Sequence, residues 1–208
     1  MSDHIVLIGD LIQSKKKQNR QKLQKKFLDE LEKVNQEFES QILAPLKLTR
    51  GDEFEGVFKN FTACMAAFEK IEAGVYPDKV RGGIGIGKIN TEITENVSHM
   101  DGPAFYRARE MIENENESIS ILLVKGSDLK TNNTVNTVLK LLWALKSEWT
   151  KREYEIVNHW IFEDYPTQKK LAEKFGIKRS TVANHLTNAH HKTIRESRKF
   201  IINLIDRG

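Results

Sequence analysis

The sequence predicts an α+β domain built on a sheet, followed by an all-α domain. Three observations carry that reading. Apolar residues recur in the order strand, helix, strand, strand, helix, strand over the first half. Strand signals stop after Lys125-Gly126, and residues 167–208 then hold ten Lys/Arg against three Asp/Glu. The formal net charge of +4 therefore hides a basic C-terminal surface, because the remainder carries 23 Lys/Arg against 26 Asp/Glu.

Residues 5–8 form an apolar run ending at Gly9-Asp10, which fits a buried strand that delivers Asp10 to its C-terminal end. Leu23, Phe27, Leu31, Val34 and Phe38 then recur at helical spacing, predicting an amphipathic helix over 20–39. Leu46 and Leu48 alternate with polar neighbours, and residues 54–58 are largely apolar. Arg50-Gly51 between them reads as a tight hairpin turn. Phe61, Met65, Phe68 and Ile71 mark a second helix, and Val80, Ile84 and Ile86 with interleaved glycines mark a strand. A helix over 104–113 and a strand over 119–124 complete the set. This order predicts a ferredoxin-like palm with helices on one face of an antiparallel sheet. The polar stretch 126–134 reads as a linker. Beyond it, Val138, Leu141, Leu142, Leu145, Trp149, Tyr154, Ile156, Val157, Trp160 and Ile161 keep helical spacing. The expected domains are residues 1–128 and residues 135–208.

Several functions are disfavoured. The N-terminal apolar run is too short and too acidic for a signal peptide, and no stretch approaches the length of a membrane span, so a cytoplasmic protein is expected. Cys64, the single cysteine, excludes an internal disulfide and falls on the apolar side of a helix. The letters of GGIGIGK (82–88) match a phosphate-binding loop, but Ile89 stands where a hydroxyl would hold magnesium, and Ile84 and Ile86 predict a strand. The glycines there suit close packing of the preceding helix or of a ligand. His99, His190 and His191 lack partners at metal-ligand spacing. Lys15, Lys16 and Lys17 either meet a polyphosphate or form a solvated charge run.

Two constellations point to chemistry. In TQKKLAEKFGIKRSTVANHL (167–186), Leu171, Ala172, Phe175, Ile177, Val182 and Leu186 line one inner face, with Gly176 in the turn. The stretch resembles the helix-turn-helix of bacterial transcription regulators and of sigma-factor region 4. That resemblance implies DNA as partner, with Lys178, Arg179, Ser180, Thr181, Asn184 and His185 on the outward face of the second helix. Lys and Arg there suit phosphates, and Asn184 suits an adenine edge. A helical hairpin with a solvated basic face is the bland alternative. The second constellation is Asp10 with the hairpin tip of LTRGDEFEGVF (48–58), where Asp52 and Glu53 follow the glycine. Carboxylates converging from neighbouring strands repel unless a cation such as Mg²⁺ lies between them. Asp and Gly are also ordinary turn formers.

LTRGDEFEGVF resembles the hairpin of class III nucleotidyl cyclases and the signature of GGDEF diguanylate cyclases. IGDLIQS (8–14) resembles the first cyclase metal motif, and RGGIGIGKI with DGPAFYRARE resembles the later glycine strand and helix. The whole chain resembles the SatD family, through its G-D-L-I-Q-S, G-D-E-F-E-G and D-G-P-A-F-Y-R-A-R-E motifs and its C-terminal helix-turn-helix. The resemblance implies a nucleotidyl-cyclase-like palm that binds a nucleotide or nucleotide-like ligand with Mg²⁺ or Mn²⁺, in a homodimer. It places metal at Asp10, Asp52 and Glu53, the phosphate-wrapping turn at Leu11, Ile12, Gln13 and Ser14 with Lys15 beside it, and transition-state stabilisation at Arg109. Phe105 stands where the cyclases carry an Asn. The implied role is nucleotide-responsive transcription regulation. The alternative is a plain regulator whose palm is a non-catalytic dimerisation or small-ligand domain.

Overall fold

The structure, a computed structural model, describes residues 3–13, 19–113 and 121–206. The elements run β1 (His4–Leu11), α1 (Arg20–Glu37), β2 (Ile42–Arg50), β3 (Glu53–Phe58), α2 (Phe61–Val75), β4 (Val80–Gly87), α3 (Pro103–Glu113) and β5 (Leu122–Lys125). Among the described residues five helices follow: α4 (Leu129–Ser147), α5 (Lys151–Phe162), α6 (Gln168–Phe175), α7 (Arg179–Asn188) and α8 (His191–Asp206). Two compact units result, Met1–Asn136 and Thr137–Gly208. Their boundary falls inside α4, and residues 129–134 of the expected linker are helical. Among the described residues no helix is long and apolar enough to cross a membrane.

The described residues of the first unit form a five-stranded sheet in the order β2-β3-β1-β4-β5. The pairs β1/β3, β1/β4 and β2/β3 are antiparallel, while β5 joins β4 in parallel. The sheet is therefore mixed, because the β4–α3–β5 crossover returns the chain in the same direction.

The expectation of helices on one face does not hold. Phe27 of α1 meets Phe54 of β3 edge-on at 5.5 Å, and Phe68 of α2 lies over Gly82. On the other face, Val6, Ile8 and Val57 join Ala104, Phe105, Ala108 and Ile112 of α3 in a separate core cluster. A Cβ on Gly83 or Gly85 would collide with the carbonyl oxygens of Ala108 and Ala104. These glycines let the backbone of the following helix rest on the strand, so β1 is apolar on both sides and reads as a continuous run. Cys64 is fully buried, as its place in the helix pattern predicts.

An asparagine side chain pairs with the backbone of one residue on each outer strand. Asn35 of α1 accepts from the Leu46 amide (2.8 Å) and donates to its carbonyl (2.9 Å). Asn136 of α4 does the same for Val124 of β5, at 2.8 Å each way. Each amide stands in for a missing neighbouring strand and blunts an edge open to further pairing.

In the second unit, Ile156, Val157, Trp160, Leu171, Val182, Leu186 and Ala189 form the core. Helix α5 begins with a reciprocal capping box between Thr150 and Glu153. Leu141, expected inside, is 62% exposed, whereas its neighbour Leu142 is buried. Helical spacing admits both positions, and packing selects one.

Candidate functional site

In the palm, strand register decides which charges meet. Asp10 pairs across β1/β3 with Glu53 and across β1/β4 with Arg81. Arg81 donates Nε–H to Asp10 Oδ1 (2.7 Å) and an Nη2 hydrogen to Oδ2 (2.8 Å), a two-point ion pair whose side chains are 15% and 22% exposed. Alternation along β3 sends Glu53 and Glu55 to the same side, under α3. There Arg109 donates to both Glu53 oxygens at 3.1 Å and, through Nη2, to Glu55. Burial pushes the Glu55 carboxyl above the usual range, Arg109 opposes that shift, and the Glu53 charge adds to it. The Arg109 guanidinium is held above its ordinary value by its hydrogen bonds to Glu53.

Beside these pairs lies a cavity of about 470 Å³ lined by Thr49, Glu53, Glu55, Ser98, Arg109 and Glu113. Of these residues, Glu53 and Arg109 are expected at a site from the sequence, whereas Glu55, Thr49, Ser98, Glu113 and the neighbouring Arg81 are not. Arg81 had a readable signal, a cation at an inward position of a glycine strand opposite Asp10. Ser98 and Glu113 come together only through the tertiary fold.

The expected metal site is not assembled as predicted. Asp10 is taken by Arg81, and Arg109, expected to stabilise a leaving phosphate, instead grips Glu53. Asp52 sits half-buried in the turn beside Gly51 (φ 68°), one position off the register that joins Asp10 to Glu53. It does not line the cavity. Among the described residues no group of three or more His, Cys, Asp or Glu is arranged to hold a metal. The donors are oxygens suited to Mg²⁺ or Mn²⁺, but guanidinium groups already neutralise Asp10 and Glu53, so this arrangement does not fit a resident divalent ion.

The expected phosphate-wrapping turn is described only as far as Gln13. Leu11 (4% exposed) and Ile12 (8%) are core residues, and the Ile12 amide is committed to the Lys79 carbonyl at 2.9 Å. Gln13 is exposed with φ 54°. Ser14 and Lys15 lie outside the described residues, as do Lys16 and Lys17. Phe105 belongs to the α3 core.

In the helical unit, Thr167 caps α6, and Gly176 (φ 61°) ends it in the left-handed conformation that favours glycine. The Ile177 amide returns to the Ala172 carbonyl at 3.1 Å, which turns the chain directly into α7. Val182 and Leu186 of α7 are buried against Leu171 and α5. Lys178, Arg179, Ser180 and Asn184 are exposed, and Thr181 is half-buried. His185 departs from the outward set: its Nδ1 lies 3.9 Å from the buried Glu153 carboxylate of α5. It stands three positions after buried Val182, on the side of α7 that faces α5. Arg179 Nε reaches Gln168 Oε1 at 3.4 Å.

Among solved structures, the adenylyl cyclase CyaB from P. aeruginosa is similar at 13% identity and a TM-score of 0.46, covering 65% of this chain and 81% of that one. No curated protein matches the chain. The SatD family matches residues 4–205, nearly the full length. The chain belongs to the SatD family.

Proposed function

We propose that the chain is a DNA-binding transcription regulator whose α6–α7 unit enters the major groove. In this reading the palm is a non-catalytic platform that binds a small nucleotide-like ligand. One observation carries the DNA reading: α7 keeps Val182 and Leu186 inside while exposing Arg179, Ser180 and Asn184, with exposed Lys178 at its N-cap. These exposed residues present cations for phosphates and a carboxamide for a base edge, within the segment that holds the basic surplus. The palm reading is favoured over a cyclase-type catalyst by the Asp10–Arg81 and Glu53–Arg109 pairs, which occupy the carboxylates that metal chemistry would use. A homodimer on a two-fold operator belongs to the same proposal, because a single recognition helix reads only one half-site.

The test is fluorescence anisotropy of the full chain with a library of duplexes, from about 50 to 200 mM salt. A regulator that neutralises several phosphates loses affinity steeply over that range and enriches particular sequences. Binding that does not change with salt, or no binding, would end the DNA reading. Light scattering at the same concentrations separates a monomer from the dimer.

A further inference from the structure

We propose that Arg81 and Arg109 serve as built-in counter-cations of the palm, standing in the place of divalent metal between the strand-end carboxylates. This role rests on palm residues alone and stands or falls apart from the DNA reading. Three acidic groups, Asp10, Glu53 and Glu55, face α3 at this end of the sheet, and a fourth, Glu113, stands on α3 itself. Left alone, the partly buried three would repel one another across antiparallel strands. Two guanidinium groups resolve this from opposite directions. Arg81 comes from the adjacent strand, flat against Asp10 by its two-point geometry, and also reaches the Ile112 carbonyl at the end of α3 (3.5 Å). Arg109 comes from the helix above and bridges Glu53 and Glu55. A guanidinium offers five fixed donors and never loses its charge, so it fixes carboxylate geometry as a metal would, but through hydrogen bonds. A divalent ion entering here would have to displace a guanidinium already hydrogen-bonded to its carboxylate.

The experiment is an Mn²⁺ titration of the full chain, read as loss of the free-ion electron paramagnetic signal, together with thermal melts in Mn²⁺, Mg²⁺ or chelator. The wild type is expected to leave the Mn²⁺ signal intact and to melt at one temperature in all three. Arg81→Gln exposes the Asp10 charge, and Arg109→Gln exposes the Glu53–Glu55 pair. Each is expected to lower the melting temperature and to recover part of the loss in Mn²⁺. Arg109 is the more exposed side chain, at 42%, so its variant is the one expected to stay folded if Arg81→Gln does not. Saturable Mn²⁺ binding by the wild type that Asp10→Asn abolishes would overturn the proposal. So would an Arg109→Gln protein that melts like the wild type and gains no Mn²⁺ response.

Discussion

Two glutamates, Glu55 in the palm and Glu153 in the helical unit, leave nearly the same fraction of their surface exposed, 7% and 8%, yet their carboxyls shift in opposite directions. For Glu55, burial dominates and raises the carboxyl despite Arg109, with like charge from Glu53 adding to the shift. For Glu153, burial acts in the same direction but is outweighed by the backbone and side-chain hydrogen bonds of Thr150 and by nearby His185, so the net shift is downward. Glu55 lies under more protein than Glu153, and the two also differ in who supplies the compensation. In the helical unit a carboxylate is satisfied by the start of its own helix, three residues away. In the palm it depends on a guanidinium 54 positions distant in the chain. The helical unit thus satisfies this carboxylate without a guanidinium, while the palm commits two of its arginines to its own carboxylates.

Substitutions should separate the two units, beginning with the cores. Phe54→Ala, at a fully buried ring in the palm, should cost about 3–5 kcal/mol, and Leu171→Ala in the helical core about 2–5 kcal/mol. Chemical denaturation gives both values, and DNA affinity should be lost with Leu171→Ala alone. Removing the Asn136 carboxamide leaves the Val124 amide and carbonyl unpaired at the β5 edge. A cost of about 1–3 kcal/mol is expected, with faster aggregation on light scattering. On the helical surface, Asn184→Ala should leave the melting temperature unchanged and relax preference at one base position by about 1–3 kcal/mol, read by competition with single-position operator variants.

The smallest effect is in pH dependence, and its sign differs between the two glutamates. Glu55 has a raised folded value, so its contribution to stability is fullest below the ordinary carboxylate range and is lost as pH rises through the folded value. Glu153 has a depressed folded value, so its contribution is present above the ordinary range and is lost as pH falls through the folded value. Glu55→Gln should therefore remove a loss of stability on raising the pH, and Glu153→Gln a loss on lowering it. Identical pH profiles for the two variants would refute the contrast.

Much of the helical unit was legible because its signals are local. The inner face at Leu171, Val182 and Leu186 and the turn at Gly176 follow from spacing within twenty residues. His185 was the exception, since the carboxylate it approaches lies on α5. In the palm, the strand and helix order and the hairpin at Gly51 were readable for the same reason. The second helical layer was not. Nothing in the periodicity of α3 says which face of the sheet it covers, and the glycines of β4 gave the close approach without naming the helix that makes it. The charge pairs required register. Asp10 meets Glu53 and Arg81 rather than Asp52 because β1 and β3 pair one position beyond the turn, a shift that spacing alone does not reveal.

The most direct test of the division between the units compares one arginine from each, Arg179→Ala and Arg81→Gln, in the full chain. Melting temperature and the slope of log affinity for DNA against log salt are measured together. Arg179→Ala should keep the wild-type melting temperature and reduce the salt slope by about 0.9, the loss of one phosphate contact. Arg81→Gln should melt earlier and keep the wild-type slope. If Arg81→Gln flattens the slope while Arg179→Ala leaves it unchanged, DNA is met by the palm, and the division of roles between the two units is contradicted.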